Sequence, residues 1–126
     1  MKALLPVVTL LVSLHLTACG KAEAGDDCSP DNSATCSSTS EALWCENGKL
    51  RAIPCSGPSG CTETNGGLTC DFSRAQAGDA CPATSENKGQ CAVGNPDEAL
   101  RCTSGTWTAL TCQGCSVQSG QITCIP

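Results

Sequence analysis

The chain has 126 residues, of which 13 are cysteine, and a formal net charge of −5. This acidic balance, with no basic patch, disfavours nucleic acids and anionic lipid headgroups as electrostatic partners. A short chain so rich in cysteine is typical of an exported disulfide scaffold. Aromatic residues make up only 2% of the chain, so disulfides must replace much of the core that a larger domain would bury.

The N-terminal segment predicts export. Lys2 precedes an apolar run from Ala3 to Leu16, which is shorter than the roughly 20 residues of a membrane-spanning helix. The run ends in Leu16-Thr17-Ala18-Cys19, which resembles a lipobox, the recognition site of the bacterial lipoprotein signal peptidase. The alternative is an ordinary cleaved signal with a cysteine nearby by chance.

The lipobox resemblance implies a lipid anchor. It implies a signal peptide over residues 1–18, lipidation of Cys19 (palmitate included) and a lipidated tether over residues 19–25. Gly20 follows the lipidated cysteine, and by analogy with enteric sorting rules this points to the outer membrane. Nine extended residues reach at most about 30 Å, so the first folded unit is expected close to the membrane surface.

The rest of the chain repeats one six-cysteine unit, and such self-similarity predicts tandem modules. We call residues 26–72 module 1 and residues 73–126 module 2. The matching segments are 21–28 with 74–81, 41–45 with 98–102, 60–61 with 114–115, and 68–70 with 122–124. The cysteines are Cys28, Cys36, Cys45, Cys55, Cys61 and Cys70, then Cys81, Cys91, Cys102, Cys112, Cys115 and Cys124.

Four turn dipeptides lie between short apolar segments and predict hairpins. They are Asn47-Gly48 and Asn65-Gly66 in module 1, and Ser104-Gly105 and Ser119-Gly120 in module 2. We find no helical periodicity of useful length. The sequence therefore predicts a small disulfide-rich all-β protein, with two hairpins in each module stapled by three disulfides.

The second hairpin of each module suggests two disulfides. A two-residue turn places Cys61 opposite Cys70, and Cys115 opposite Cys124, at sites where Cα atoms approach to about 4.5 Å. We therefore expect Cys61–Cys70 and Cys115–Cys124 bonds. A Cys45–Cys55 bond is disfavoured because these residues face opposite sides of the first hairpin. The pairing of the other cysteines stays open; they are Cys28, Cys36, Cys45 and Cys55, then Cys81, Cys91, Cys102 and Cys112.

The residue inventory offers no catalytic machinery. The single histidine, His15, lies in the predicted signal, so neither a His-based catalytic triad nor a His-ligated metal is expected. We predict no enzyme activity, no metal and no cofactor. Cys112-Gln-Gly-Cys115 matches a redox or zinc motif, but module 1 has five residues between the equivalent cysteines. We interpret it as part of the disulfide framework.

The acidic side chains are also interpreted as structural or surface residues. Asp26 and Asp79 recur in the sequence Gly-Asp-x-Cys, where a turn capped by the aspartate side chain is the common explanation. The charged residues of the module 1 hairpins are interpreted as solvated faces; they are Glu46, Lys49, Arg51 and Glu63.

The two tryptophans are assigned different roles. Trp107 lies opposite Cys102 in the predicted hairpin and is expected to pack in the core. Trp44 corresponds to Arg101 in module 2, and a position that holds Trp in one copy and Arg in the other suggests a surface.

The spacing Ala-Gly-Asp-x-Cys, Ala-Leu-x-Cys, Cys, Gly-Cys and Cys behind a lipobox resembles the small cysteine-rich lipoproteins of myxobacteria. The resemblance implies a lipid-anchored outer-membrane protein with a binding or structural role, in cell-surface contact or gliding motility. The expected partners are the membrane, through the lipid, and an unidentified envelope protein. An alternative is a protease-inhibitor-like or toxin-like effector that binds through the exposed loop 56–60. A thiol redox or metal-handling protein is a third option, which needs free thiols.

Overall fold

A computed structural model describes residues 20–119 and 121–126. The predicted signal peptide and Cys19 lie outside the described residues. Within them the chain forms ten β-strands, one 3-10 turn at Ala83–Ser85 and no α-helix. The predicted small, disulfide-rich all-β class is therefore confirmed. The described part also contains no helix of the length and hydropathy that crossing a membrane would require.

Each module contains a three-stranded antiparallel sheet followed by a separate two-stranded hairpin. The module 1 strands are β1 (Ala34–Ser38), β2 (Glu41–Glu46), β3 (Lys49–Pro54), β4 (Cys61–Thr64) and β5 (Gly67–Cys70). The module 2 strands are β6 (Gly89–Cys91), β7 (Glu98–Thr103), β8 (Thr106–Thr111), β9 (Gly114–Gln118) and β10 (Gln121–Ile125). The middle strand is β2 in the module 1 sheet and β7 in the module 2 sheet.

The first hairpin of each module turns as the dipeptides predict. Asn47 and Gly48 have φ angles of 53° and 76°, and Ser104 and Gly105 have 50° and 76°. Two successive positive φ angles define a type I′ turn, whose twist matches that of the flanking strands. The turn residues thereby align β2 with β3 and β7 with β8.

The first strand of each sheet was not predicted. β1 has the sequence Ala-Thr-Cys-Ser-Ser, which lacks apolar alternation, and β6 is only three residues long. Both strands join the sheet through backbone bonds that any residue can make. Cys45 N donates to Ser33 O over 2.7 Å, and Cys102 N donates to Lys88 O over 2.9 Å.

The second hairpin of each module has the predicted register but not the predicted disulfide. Cys61 is the Cα partner of Cys70, and Cys115 is the partner of Cys124. The prediction of Cys61–Cys70 and Cys115–Cys124 disulfides is nevertheless wrong, because these cysteines bond to other partners. Directly opposed residues project to the same face, and each of these cysteines bonds to a cysteine within or next to the neighbouring sheet instead of to its partner across the hairpin.

Six disulfides join the twelve described cysteines, with Cα–Cα distances of 5.0 to 6.1 Å. In module 1 they are Cys28–Cys45, Cys36–Cys61 and Cys55–Cys70, and in module 2 Cys81–Cys102, Cys91–Cys115 and Cys112–Cys124. Both modules thus connect first to third, second to fifth and fourth to sixth cysteine. The disfavoured Cys45–Cys55 bond is not formed.

This disulfide pairing has a physical reason: each second hairpin buries little apolar surface by itself. A hairpin of two strands with four or five residues each has no core of its own, and an isolated hairpin is marginally stable at best, so it needs to be fastened to the sheet. Cys36–Cys61 spans 25 residues of chain, whereas a Cys61–Cys70 bond would have spanned nine. The longer closed loop removes more entropy from the unfolded chain.

The buried residues form a small cluster in each module, with cysteine as a principal component. One cluster contains Ala42, Cys55 and Cys61. The other contains Leu100 and Trp107, and Trp107 is only 3% exposed, so its predicted packing role is confirmed.

Phe72 packs with the second cluster. Its ring centroid lies 6.1 Å from that of Trp107, although we assigned Phe72 to module 1. The module boundary at residue 72 remains a prediction.

Candidate functional site

The Cys112-x-x-Cys115 motif belongs to the framework. Cys112 bonds to Cys124 and Cys115 bonds to Cys91, so the two cysteines of the motif have different partners. This confirms the structural interpretation of the motif.

The recurring aspartates cap turns, as predicted. Asp26 Oδ2 accepts the Glu23 N–H over 2.8 Å, and Asp79 Oδ2 accepts the Gln76 N–H over 2.9 Å. Among residues 20–119 and 121–126, no group of three or more histidine, cysteine or acidic side chains is arranged to hold a metal ion.

Glu63 on β4 is exposed, as predicted, and its carboxylate also binds the backbone of β1. Its Oε1 accepts the backbone N–H of Cys36 over 2.6 Å and the Thr35 hydroxyl over 2.8 Å. These donors, the Cys36 N–H first, lower the pKa of Glu63 below its ordinary value. The carboxylate thus occupies the outer edge of β1, where a backbone donor would otherwise face solvent.

Asp71, just after β5, holds the loop 56–60. Its Oδ1 accepts the Ser73 N–H over 3.0 Å and its Oδ2 accepts the Ser59 N–H over 2.9 Å, and these bonds lower the pKa of Asp71. The Gly57 N–H also donates to the Asp71 carbonyl over 2.7 Å. Gly57 is buried, and only the centre of the loop, at Pro58 and Ser59, is exposed.

Glu46 and Arg51 link the two modules and are partly buried, which corrects their assignment as solvated residues. They form an ion pair of 2.7 Å with side chains 14% and 34% exposed. Arg51 Nη2 donates to the Gly105 carbonyl, and Glu46 Oε1 accepts the Ala83 N–H over 2.9 Å. We call these four residues the inter-module joint. Lys49, by contrast, is exposed and pairs with the exposed Asp27.

The carboxylates of module 1 have apolar counterparts in module 2. Counting from the paired cysteines, Val117 on β9 takes the place of Glu63, and Ile125 takes the place of Asp71. Both apolar side chains are 56% exposed. Module 2 therefore presents apolar surface where module 1 uses carboxylates to bind its own backbone.

Two clefts open on module 2. One of about 460 Å³ is lined by β6 and β10 residues together with Asn87 and Lys88. The other, of about 480 Å³, includes Arg74, Glu98 and the exposed Val93. The sequence did not predict either cleft, because each forms only where segments distant in the chain meet.

Trp44 is half-buried on β2 and packs against the module 1 cluster. Its Nε1 atom is buried and makes no hydrogen bond within the described residues. The structure thus places part of this side chain in the core and leaves part at the surface.

Comparison of the chain with protein families, with curated proteins and with solved structures finds no match.

Proposed function

We propose that this chain is a lipid-anchored protein of the cell envelope, held at the outer membrane by Cys19, with its two disulfide-stapled modules serving as binding or structural units. The process implied by the family resemblance is cell-surface contact or gliding motility. The partner is an envelope protein, and no catalysis is involved.

The observation that carries this proposal is the complete pairing of the other cysteines. All twelve described cysteines bond to one another, and the chain has thirteen. Cys19 can carry lipid on its sulfur only if no disulfide needs that sulfur. Stable disulfides also fit an exported, oxidising location.

The tether is short, which supports a role close to the bilayer. The Gly25 N–H already donates to the Leu50 carbonyl of β3 over 2.7 Å. Gly25 is six positions along the chain from Cys19, which is about 20 Å when the segment is fully extended. A lipid on Cys19 would therefore keep module 1 at the membrane surface.

Labelling with palmitate in the native host tests the anchor. We expect label on the chain and none on Cys19→Ser, while the double variant Cys36→Ser/Cys61→Ser, which also loses sulfur, stays labelled. Equal labelling of Cys19→Ser would contradict the proposal. Crosslinking on intact cells, followed by pulldown of the anchored chain, tests for the envelope partner.

An inhibitor-like or toxin-like effector is the second candidate. Asp71 fastens the loop 56–60 and leaves Pro58 and Ser59 exposed, and a preorganised loop binds with less entropic cost. This candidate expects the crosslinked partner to be a hydrolase whose activity falls on addition of the chain, and expects Pro58→Ala/Ser59→Ala to remove that effect.

A further inference from the structure

The outer edge of β6 differs from the equivalent edge of β1 in one respect. Cys91 on β6 is equivalent to Cys36 on β1, since each is the second cysteine of its module. Each bonds to the fifth cysteine of its module, Cys91 to Cys115 and Cys36 to Cys61. In module 1 the Glu63 carboxylate accepts the Cys36 N–H. In module 2 the residue at that position is Val117.

The hydrogen-bonding pattern directs the Cys91 N–H outward. Lys88 O accepts from Cys102 N, and Ala92 N donates to Glu98 O, each over 2.9 Å. Antiparallel pairs alternate between bonded and non-bonded sites, so Cys91 lies at a non-bonded site and its N–H points away from β7. Within the described residues, no side-chain acceptor lies within hydrogen-bonding distance of it.

The surroundings of this donor are chemically specific and partly accessible, since Cys91 is half-buried beside β9 and β10. Gly89, whose N–H points the same way, lines the cleft of about 460 Å³ together with Lys88 and Ile122. The Ile122 side chain rests directly on Gly89, and Val117 beside it is 56% exposed. The edge therefore combines an outward N–H, a lysine and two apolar side chains.

We propose that this edge binds an extended acidic peptide of a partner protein, whose carboxylate accepts the Cys91 N–H while its flanking apolar residues cover Val117 and Ile122. The ligand chemistry is taken from module 1, where Glu63 fills the same position intramolecularly. Lys88 adds charge complementarity to a carboxylate. Addition of an extended segment to an exposed sheet edge is a recurring mode of peptide recognition.

The proposal deepens the binding role given above and rests on it. Its test is a titration in solution, with the full chain exported, oxidised, ¹⁵N-labelled and held in detergent micelles. The probe is acetyl-Val-Glu-Val-amide, and acetyl-Val-Gln-Val-amide is its uncharged match. We expect the Glu peptide to shift the amide resonances of Gly89 and Cys91, and to leave that of Cys36 in place.

Two substitutions exchange the features of the modules. Val117→Glu supplies an internal carboxylate and should weaken peptide binding about tenfold or more, as expected for loss of a hydrogen bond to a charged group. Val117→Leu keeps the apolar surface and should bind as the natural chain does. Glu63→Val should open the equivalent edge, so that the peptide now shifts the Cys36 amide.

The proposal would be overturned by equal binding of the Gln peptide, by unchanged binding of the Glu peptide to Val117→Glu, or by equal shifts at Cys36 and Cys91 in the natural chain. Absence of peptide binding would also overturn it. None of these results bears on the palmitate label or on crosslinking at the cell surface, so failure of this site and failure of the envelope role are distinguishable.

Discussion

Removing one hairpin-to-sheet disulfide tests the pairing that most distinguishes this fold. The variant is Cys36→Ser/Cys61→Ser, which deletes the bond between β1 and β4 and leaves five disulfides intact. The matched variant is Cys61→Ser/Cys70→Ser, which deletes the two cysteines that face each other across the β4–β5 hairpin. The first removes one bond, whereas the second breaks two and strands Cys36 and Cys55.

The expected cost follows from the length of the closed loop. Cys36–Cys61 spans 25 residues, and the chain-entropy argument assigns such a loop about 3.5 kcal/mol at 25 °C. That is a large share of the roughly 5–15 kcal/mol by which a domain is stable. With a urea m-value of about 1.5 kcal/mol/M, the unfolding midpoint should fall by about 2 M.

Thiol titration and urea unfolding read out the two variants. We expect no free thiol in Cys36→Ser/Cys61→Ser. We expect either two free thiols or a non-native Cys36–Cys55 bond in Cys61→Ser/Cys70→Ser, with a larger loss of stability. Peptide mapping of the unreduced natural chain should recover Cys36 linked to Cys61.

The reasoning would be refuted by the opposite ranking. If Cys36→Ser/Cys61→Ser exposed two thiols and lost more stability than Cys61→Ser/Cys70→Ser, then the hairpin cysteines would bond to each other. The hairpin would in that case be stapled to itself rather than to the sheet.

Three further changes test other contacts. Arg51→Met removes charged hydrogen bonds of the inter-module joint and should lower the free energy of unfolding by about 1.5–3 kcal/mol, measured by thermal unfolding. The control Thr108→Val, at the equivalent strand position of module 2, should cost less. Equal costs would show that the joint adds no stability. Glu63→Gln should weaken the dependence of the unfolding free energy on pH in the acid range. Because the pKa of Glu63 is lowered in the folded protein, its contribution to stability is fully present above the ordinary glutamate pKa and is lost as the pH falls from that value through the lowered pKa. An unchanged urea midpoint profile between pH 2 and 6 would exclude that role. Trp107→Ala empties a buried site and should cost about 3–5 kcal/mol by calorimetry, more than Trp44→Ala, and the reverse order would argue against Trp107 as the main packing residue.

The local signals in the sequence were reliable where they concerned the backbone. Asn47-Gly48 and Ser104-Gly105 supply the positive φ angles that a tight hairpin needs, and the strand register around them follows from the turn. The register that opposes Cys61 and Cys70 was also predicted correctly. These features depend on residues close together in the chain, so a short segment contains enough information to specify them.

The site features depended on residues far apart in the chain. Glu63 acts through Cys36, 27 residues away, and Arg51 reaches Gly105, 54 residues away, so their sequence neighbours indicate only charged surface. One signal was nevertheless present. Alignment of the two repeats sets Glu63 against Val117, and a carboxylate present in only one copy marks a position with a module-specific role.

The amino-acid sequence by itself determined the all-β class, the tandem repeat and the turns, because turn chemistry and cysteine content act locally or through composition. Only the tertiary structure decided which sulfurs meet. Opposed cysteines on a hairpin share one face, and whether they bond to each other or to a neighbouring sheet depends on what that face packs against. The same packing placed the Glu63 carboxylate on the Cys36 N–H at the outer edge of β1.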